Sequence, residues 1–401
     1  MSPRRIGVLF GMERQFPPAL VDRINAVGGG EVVAEALRVG IVRQEDLPRY
    51  DLILDRISHE VPFYRTYLKV AATRGCRVLN NPFWWSTDDK FLGNVIAQEA
   101  GVAVPRTVLV PHKHFPPNTR AESFTNLEFP LDWDAMFEYL GFPIFLKPAY
   151  GGGWRDVYRA EDPSEFFAAY DRTRDLCMIA QEGILYSEYF RCYVLGRERV
   201  RAMPYDPGAS FERRYVRGGS PTPTALAERL EHDCLAICRA LGYDFNTVEL
   251  AVRDGVPYAI DFMNPAPDCD RFSVGDENFE WVVATSAAFL IDRVTQPASL
   301  ELTGDWPSRV RRGQRHGVRD KAASLGKPAA ALGKAVLKAG GELAGAAKRR
   351  RPAKRAPKRR KPETAAAATG AGSGSSSPDP SAAPELSRAA PRAPGSGERE
   401  P

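Results

Sequence analysis

Two segments more than a hundred residues apart carry side chains suited to phosphate and divalent-cation chemistry. The run Ile144-Phe145-Leu146 reads as a buried strand, and Lys147 leaves its end as a compact ammonium able to reach phosphate oxygens. Just beyond, Gly151, Gly152 and Gly153 have no side chains to hold a nucleotide away, so their N–H groups suit a flap closing over phosphates. The second segment, Val256 to Phe262, carries Asp261, with Asn264 shortly after it. Together they suggest a Mg-ATP site.

The runs Asn246 to Val252 and Val256 to Phe262 are rich in β-branched and aromatic residues and are joined by Arg253-Asp254-Gly255, which predicts a hairpin with an Asp-Gly turn. Pairing across that turn brings Glu249 near Asp261 and Asn264. Mg²⁺ takes oxygen ligands, commonly one or two carboxylates plus substrate phosphates. Glu249 stands between Val248 and Leu250 in a half-buried run, where a carboxylate without a cation or basic partner is costly. A hairpin with solvated acids is the plainer alternative.

In order and rough spacing, Lys147, the glycines, Gln181-Glu182-Gly183-Ile184, Glu249, Asp261 and Asn264 resemble the ATP-grasp superfamily. Its members include D-alanine:D-alanine ligase, glutathione synthetase and the glutamate ligases that extend ribosomal proteins. The resemblance runs over roughly residues 5 to 295. It implies an α/β protein with α+β jaws: a small parallel module at 1–82, a lysine-bearing subdomain at 83–183 and a metal-binding subdomain at 184–300. As the resemblance implies, Lys90 and Lys147 hold phosphates under the flap. Gln181, Glu182 and Ile184 lie in the linker that reads adenine, and Glu188 falls near the ribose. Glu249, Asp261 and Asn264 bind Mg²⁺, with Mn²⁺ as a substitute. Arg213 and Arg217, in the loop from Arg213 to Gly219, resemble an arginine and glycine loop that some ligases place beside the transferring phosphate; a solvated basic loop is the other reading. The activity implied is ATP-dependent joining of a small carboxylate to an amine through an acyl phosphate. A small-molecule kinase, or a non-catalytic ATP binder tethered to nucleic acid by a basic tail, are the alternatives.

Two departures from the family pattern stand out. Asp261 and Asn264 are three apart, so strict strand alternation points them in opposite directions unless a bulge at Phe262 or Met263 reunites them. Thr247 stands where several ligases carry an arginine.

The elements that must position these residues are legible in outline. Ile6 to Phe10 and Leu52 to Leu54 alternate with the helical stretches Pro18 to Val27 and Phe63 to Arg74, a mainly parallel α/β layer. Ser86 or Thr87 is placed to cap a helix running towards Ala100. Leu226, Leu230, Cys234, Ile237 and Leu241 give helical spacing that stops at Gly242, and Asp276 to Val294 reads as a closing helix. Cys234 and Cys238 lie one turn apart among apolar residues, which favours packing over chemistry.

Composition divides the chain. Residues 1 to 300 carry a net −8, whereas residues 348 to 361 carry +10, so the overall +5 belongs to the C-terminal region. Residues 301–401 are expected to be a basic, largely disordered tail, and the block at 348–361 suits nucleic acid or another anionic surface. The apolar stretch Trp281 to Ile291 is too short for a membrane span, Arg4 to Phe10 is too short for a signal peptide, and six cysteines without a Cys-x-x-Cys pair suit a reducing compartment. The expectation is a cytoplasmic protein.

Overall fold

The computed structural model describes residues 2–83, 89–210, 213–218 and 221–296. All of them belong to one compact unit, Met1–Lys327. Ser86, Thr87, Gly219 and the basic block at 348–361 lie outside the described residues.

The N-terminal layer comprises β1 (Arg4–Leu9), α1 (Phe16–Val27), β2 (Val32–Ala36), β3 (Leu52–Asp55), α2 (Pro62–Thr73) and β4 (Arg77–Leu79). Its strands run in the order β2-β1-β3-β4 with every pair parallel, as the alternation of apolar runs and helices predicts. Every residue of β3 is buried, the pattern of a parallel strand covered on both faces. Asn80, just past β4, is buried and ties this layer to the rest. Its Oδ1 accepts from the N–H groups of Asp244 and Phe245, both at 2.8 Å, and its Nδ2 donates to the Phe245 carbonyl.

Next come α3 (Lys90–Glu99), β5 (Thr107–Val110), α4 (Trp133–Leu140), β6 (Ile144–Pro148), β7 (Tyr158–Ala160), α5 (Pro163–Arg172) and β8 (Met178–Glu182). Asp89 caps α3, its carboxylate accepting from the Leu92 N–H at 2.9 Å. The strands form an antiparallel sheet in the order β5-β8-β6-β7. Alternation decides its two faces. Ile144, Leu146, Met178 and Ala180 pack with Leu140 and Phe166 from α4 and α5, where burying a side chain such as Phe166 stabilises by about 1.5–3 kcal/mol. Lys147 and Gln181 therefore face the other way.

The third sheet is built from β9 (Glu188–Leu195), β10 (Arg199–Pro204), β11 (Phe245–Arg253) and β12 (Val256–Asp261), with α6 (Thr224–Leu241), α7 (Arg271–Val274) and α8 (Asp276–Thr295). Its order is β10-β9-β11-β12, antiparallel throughout. Cys234 and Cys238 on α6 are buried with Val248 and Leu250, so these thiols pack in the core as their spacing suggests. Gly242 ends α6 in the left-handed conformation at φ 79°, where a side chain would be strained. Asp254 and Gly255 both have positive φ, as a tight hairpin turn between β11 and β12 demands.

A bulge is present in this hairpin, but not at Phe262 or Met263. Glu249 pairs with Asp261 while Leu250 pairs with Ala259, which leaves Ile260 as the extra residue. Without that insertion Ile260 would stand opposite Glu249. With it, two carboxylates do.

Candidate active site

The lysine sheet and the β9–β12 sheet face each other across a narrow cleft. Lys90, Lys147 and Gln181 line one side of it, and Asp261 and Met263 the other. Lys147 Nζ donates to Gln181 Oε1 at 2.8 Å, and Gln181 is held in turn by its Nε2 on Thr107 Oγ1 at 3.1 Å. Burial pushes the Lys147 ammonium below its ordinary value and nearby Lys90 adds to the effect, while Asp261 and Glu249 oppose it. Lys90 opens α3, its N–H on the Ala149 carbonyl and its Nζ on the Gly151 carbonyl. The flap thus begins at the lysine on the facing helix. Gly151 and Gly153 have φ of 92° and 73°, and no atom outside their own chain neighbourhood comes within 4 Å of where a Cβ would stand on any of Gly151, Gly152 and Gly153. These glycines serve backbone shape rather than close packing.

Glu249 on β11 stands opposite Asp261 and, like Asn264, is not itself a lining residue of the cleft; its side chain is 13% exposed. Its carboxyl is pushed up by burial and by Asp261, against the pull of Arg191, Tyr189 and Lys147. Tyr189 donates to Glu249 Oε2 at 2.7 Å, and Arg191 Nε stands 3.7 Å from Oε1. Among the described residues no group of three or more His, Cys, Asp or Glu side chains could hold a metal ion. What the hairpin offers is a pair, Glu249 and Asp261, and a pair completed by phosphate oxygens suits Mg²⁺ better than a metal needing a full protein cage. Asn264 follows beyond the end of β12. Its N–H donates to Asn246 Oδ1 at 2.8 Å, and buried Asn246 also holds the Phe262 carbonyl at 2.7 Å, fixing the chain as it leaves the strand. Asn264 does not line the cleft.

Several expected residues stand elsewhere. Arg213 is exposed, its N–H on the Ser210 carbonyl. Arg217 donates to the Phe272 carbonyl at 2.7 Å and lines a separate cavity against the first turn of α8. Neither lines the lysine–carboxylate cleft; Arg217 packs towards α7 and α8. Glu188 is exposed at the start of β9, and Ile184 is buried in the main core. The Glu182 carboxylate is engaged by Arg106 Nε and by an Arg253 terminal nitrogen, both at 2.9 Å.

That double ion pair clamps the lysine sheet to the β11–β12 hairpin. Burial raises the Glu182 carboxyl, but the hydrogen bonds from Arg106 and Arg253 outweigh it and hold the group below its ordinary 4.5. Its stabilisation is complete above that value and is lost as pH falls through the lower folded one. Glu182→Gln is expected to cost about 1–2 kcal/mol at pH 7 and much less at about pH 2, well below the ordinary carboxylate range. Urea denaturation at the two pH values measures this, and an equal loss at both would contradict it.

Arg191 is the residue that motif reading passed over. It pairs with Glu249 across β9 and β11, its side chain is 14% exposed, and it lies over the Tyr205 ring at 5.5 Å. A terminal nitrogen reaches 3.5 Å from Thr247 Oγ1, so an arginine from the neighbouring strand occupies the surroundings of Thr247. Nε makes no hydrogen bond. The signal was a lone charge in the apolar strand Phe190 to Leu195, the same signal that singled out Glu249.

Solved structures share this architecture. The RimK domain protein ATP-grasp from Sphaerobacter thermophilus DSM 20745 superposes with a TM-score of 0.52 at 18% identity, covering 71% of this chain and 98% of that one. D-alanine–D-alanine ligase from Bacillus anthracis complexed with ATP gives 0.51 at 17%, covering 74% and 98%. The chain has the ATP-grasp fold. In sequence it is similar to D-alanine–D-alanine ligase B of Chromobacterium violaceum, 30% identical over 116 residues, which is 27% of this chain and 38% of the relative. It is also similar to D-alanine–D-alanine ligase of Ralstonia nicotianae, 25% identical over 202 residues, 46% of this chain and 60% of the relative. The match thus spans less than two thirds of either relative's length. No family model matches the chain.

Proposed function

We propose that this protein is an ATP-dependent carboxylate–amine ligase. The observation that carries the reading is the opposition, across one cleft, of Lys90 and Lys147 to Asp261, which a bulge at Ile260 brings into register with Glu249. A triphosphate placed there would meet two ammonium groups on one side, and Glu249 and Asp261 would hold Mg²⁺ on the other, where it supplies neutralisation of phosphate charge. The cavity itself is only about 20 Å³, room for one water, so nucleotide would enter as the two sheets part. Lys147, oriented by Gln181, would grip the phosphates. Arg191, held between Glu249 and Tyr205, would steady the group in transfer. A substrate carboxylate would attack the γ-phosphate, releasing ADP and leaving an acyl phosphate; an amine would then form the C–N bond and release phosphate.

The test is ADP release by purified protein with Mg²⁺, ATP and pools of amino acids and small carboxylic acids, followed by mass analysis of the products. Phosphate left on an acceptor without amide formation would replace the ligase reading by a kinase. No ATP binding at all would remove both. Arg191→Lys keeps the charge but loses the planar fork. It is expected to lower kcat by about 10²-fold with little change in the KM for ATP, and an unaltered kcat would remove Arg191 from the site.

A further inference from the structure

The helices on the back of the lysine-bearing sheet carry a feature of their own. α4 and α5 cover the face that presents Ile144 and Leu146, whereas Lys147 projects from the other face into the cleft. Beside the first turns of these two helices opens a groove of about 510 Å³, a volume that takes several groups of a ligand at once. It shares no lining residue with the lysine–carboxylate cleft.

The walls of the groove are aromatic. The Trp133 ring stands at 83° to that of Phe167 with centroids 5.4 Å apart, and Phe137 meets Phe167 at 82° and 5.8 Å. Phe142 extends the row, 5.4 Å from Phe137. On α5 the neighbouring Phe166 fills the core and is fully buried, while Phe167 and Phe142 stay 38% and 36% exposed. A row of touching rings left in water marks a surface that binds something. Its charge says what. Asp132 and Asp134 are both exposed at the groove, and no lysine, arginine or histidine is among the described residues that line it. Carboxylates and ring faces attract the same kind of group, a cation on an apolar stem. Pro130 and Pro163 line the groove as well, and none of the described residues around it belongs to a strand, so a peptide has no sheet edge to join there. The recognition mode that needs rings rather than a free backbone is that of proline-rich segments, whose extended helix is ordered before it binds.

We propose that this groove docks a proline-containing, arginine-bearing segment of a protein partner, with prolines against Trp133, Phe137 and Phe167 and a guanidinium against Asp132 and Asp134. Because the groove and the cleft lie on opposite faces of one sheet, the partner leaves the cleft open. The probe is a dye-labelled peptide repeating arginine-proline-proline, titrated into the full chain and followed by fluorescence anisotropy. Saturable binding is expected, weakened about tenfold by Phe167→Ala and by Asp134→Lys. Both side chains are exposed, and thermal melting confirms that each variant folds. Peptides repeating arginine-glycine-glycine or glutamate-proline-proline keep only the charge or only the prolines, and each is expected to bind at least about tenfold more weakly. Absence of saturable binding, equal affinity for either control peptide, or affinity undiminished by both substitutions would overturn the proposal. So would displacement of the peptide by free arginine at comparable concentration, which would mark a small-cation site instead.

Discussion

Lys147→Ala is expected to lower ATP-dependent ADP release by about 10²–10³-fold, the loss typical when a preorganised charge is removed from a transferring group. Lys147 is more than a basic side chain on a strand. It projects from the face of β6 opposite the one that carries the hydrophobic core, its Nζ is aimed by a buried glutamine, and both carboxylates of the facing hairpin act on its charge. Alanine deletes the ammonium and leaves Gln181 Oε1 without its donor, at a cost of about 1–3 kcal/mol in stability. Lys147→Met preserves much of the stem and separates the two effects. Near-normal melting with ADP release close to zero is the expected result, and turnover within a factor of about three of wild type would dismiss the cleft as the site of ATP chemistry.

Glu249→Gln is the second large effect, and it acts in opposite directions on activity and stability. The carboxyl is raised by burial and by Asp261, so the native state binds its proton more tightly than the unfolded chain does. Ionisation therefore costs stability progressively as pH rises from the unfolded value through the folded one, and the cost is complete above both. Glutamine has the same shape and no charge. In chelator-containing buffer at pH 8 the variant is expected to melt roughly 2–4 °C above wild type, with the difference gone near pH 4. Mg²⁺ and ATP together should raise the melting temperature of wild type and leave the variant nearly unmoved, while ADP release falls by about 10²-fold or more. A variant less stable than wild type at pH 8 would show that Arg191 and Tyr189 compensate the carboxylate fully and that no cation is called for.

No helix among the described residues is long and apolar enough to cross a membrane, in keeping with the short apolar run at Trp281 to Ile291. The basic block at 348–361 lies outside the described residues, so the cleft and the aromatic groove are the features on which experiment can act first.

What the sequence by itself determined is local. An apolar strand ending in Lys147, a glycine run, an Asp-Gly turn between two β-branched runs, and helical spacing that stops at Gly242 are each written within a few consecutive residues. Backbone propensity and side-chain period suffice to read them. The tertiary structure decided whatever depends on register between distant strands. It placed the bulge at Ile260 rather than at Phe262 or Met263, and set Arg191 opposite Glu249. It also set Arg217 against a separate cavity by α8 and drew Trp133 and Phe137 of one helix beside Phe167 of another. A single-residue slip in pairing exchanges the faces of a strand, and no window of neighbouring residues records which slip the assembled core selects.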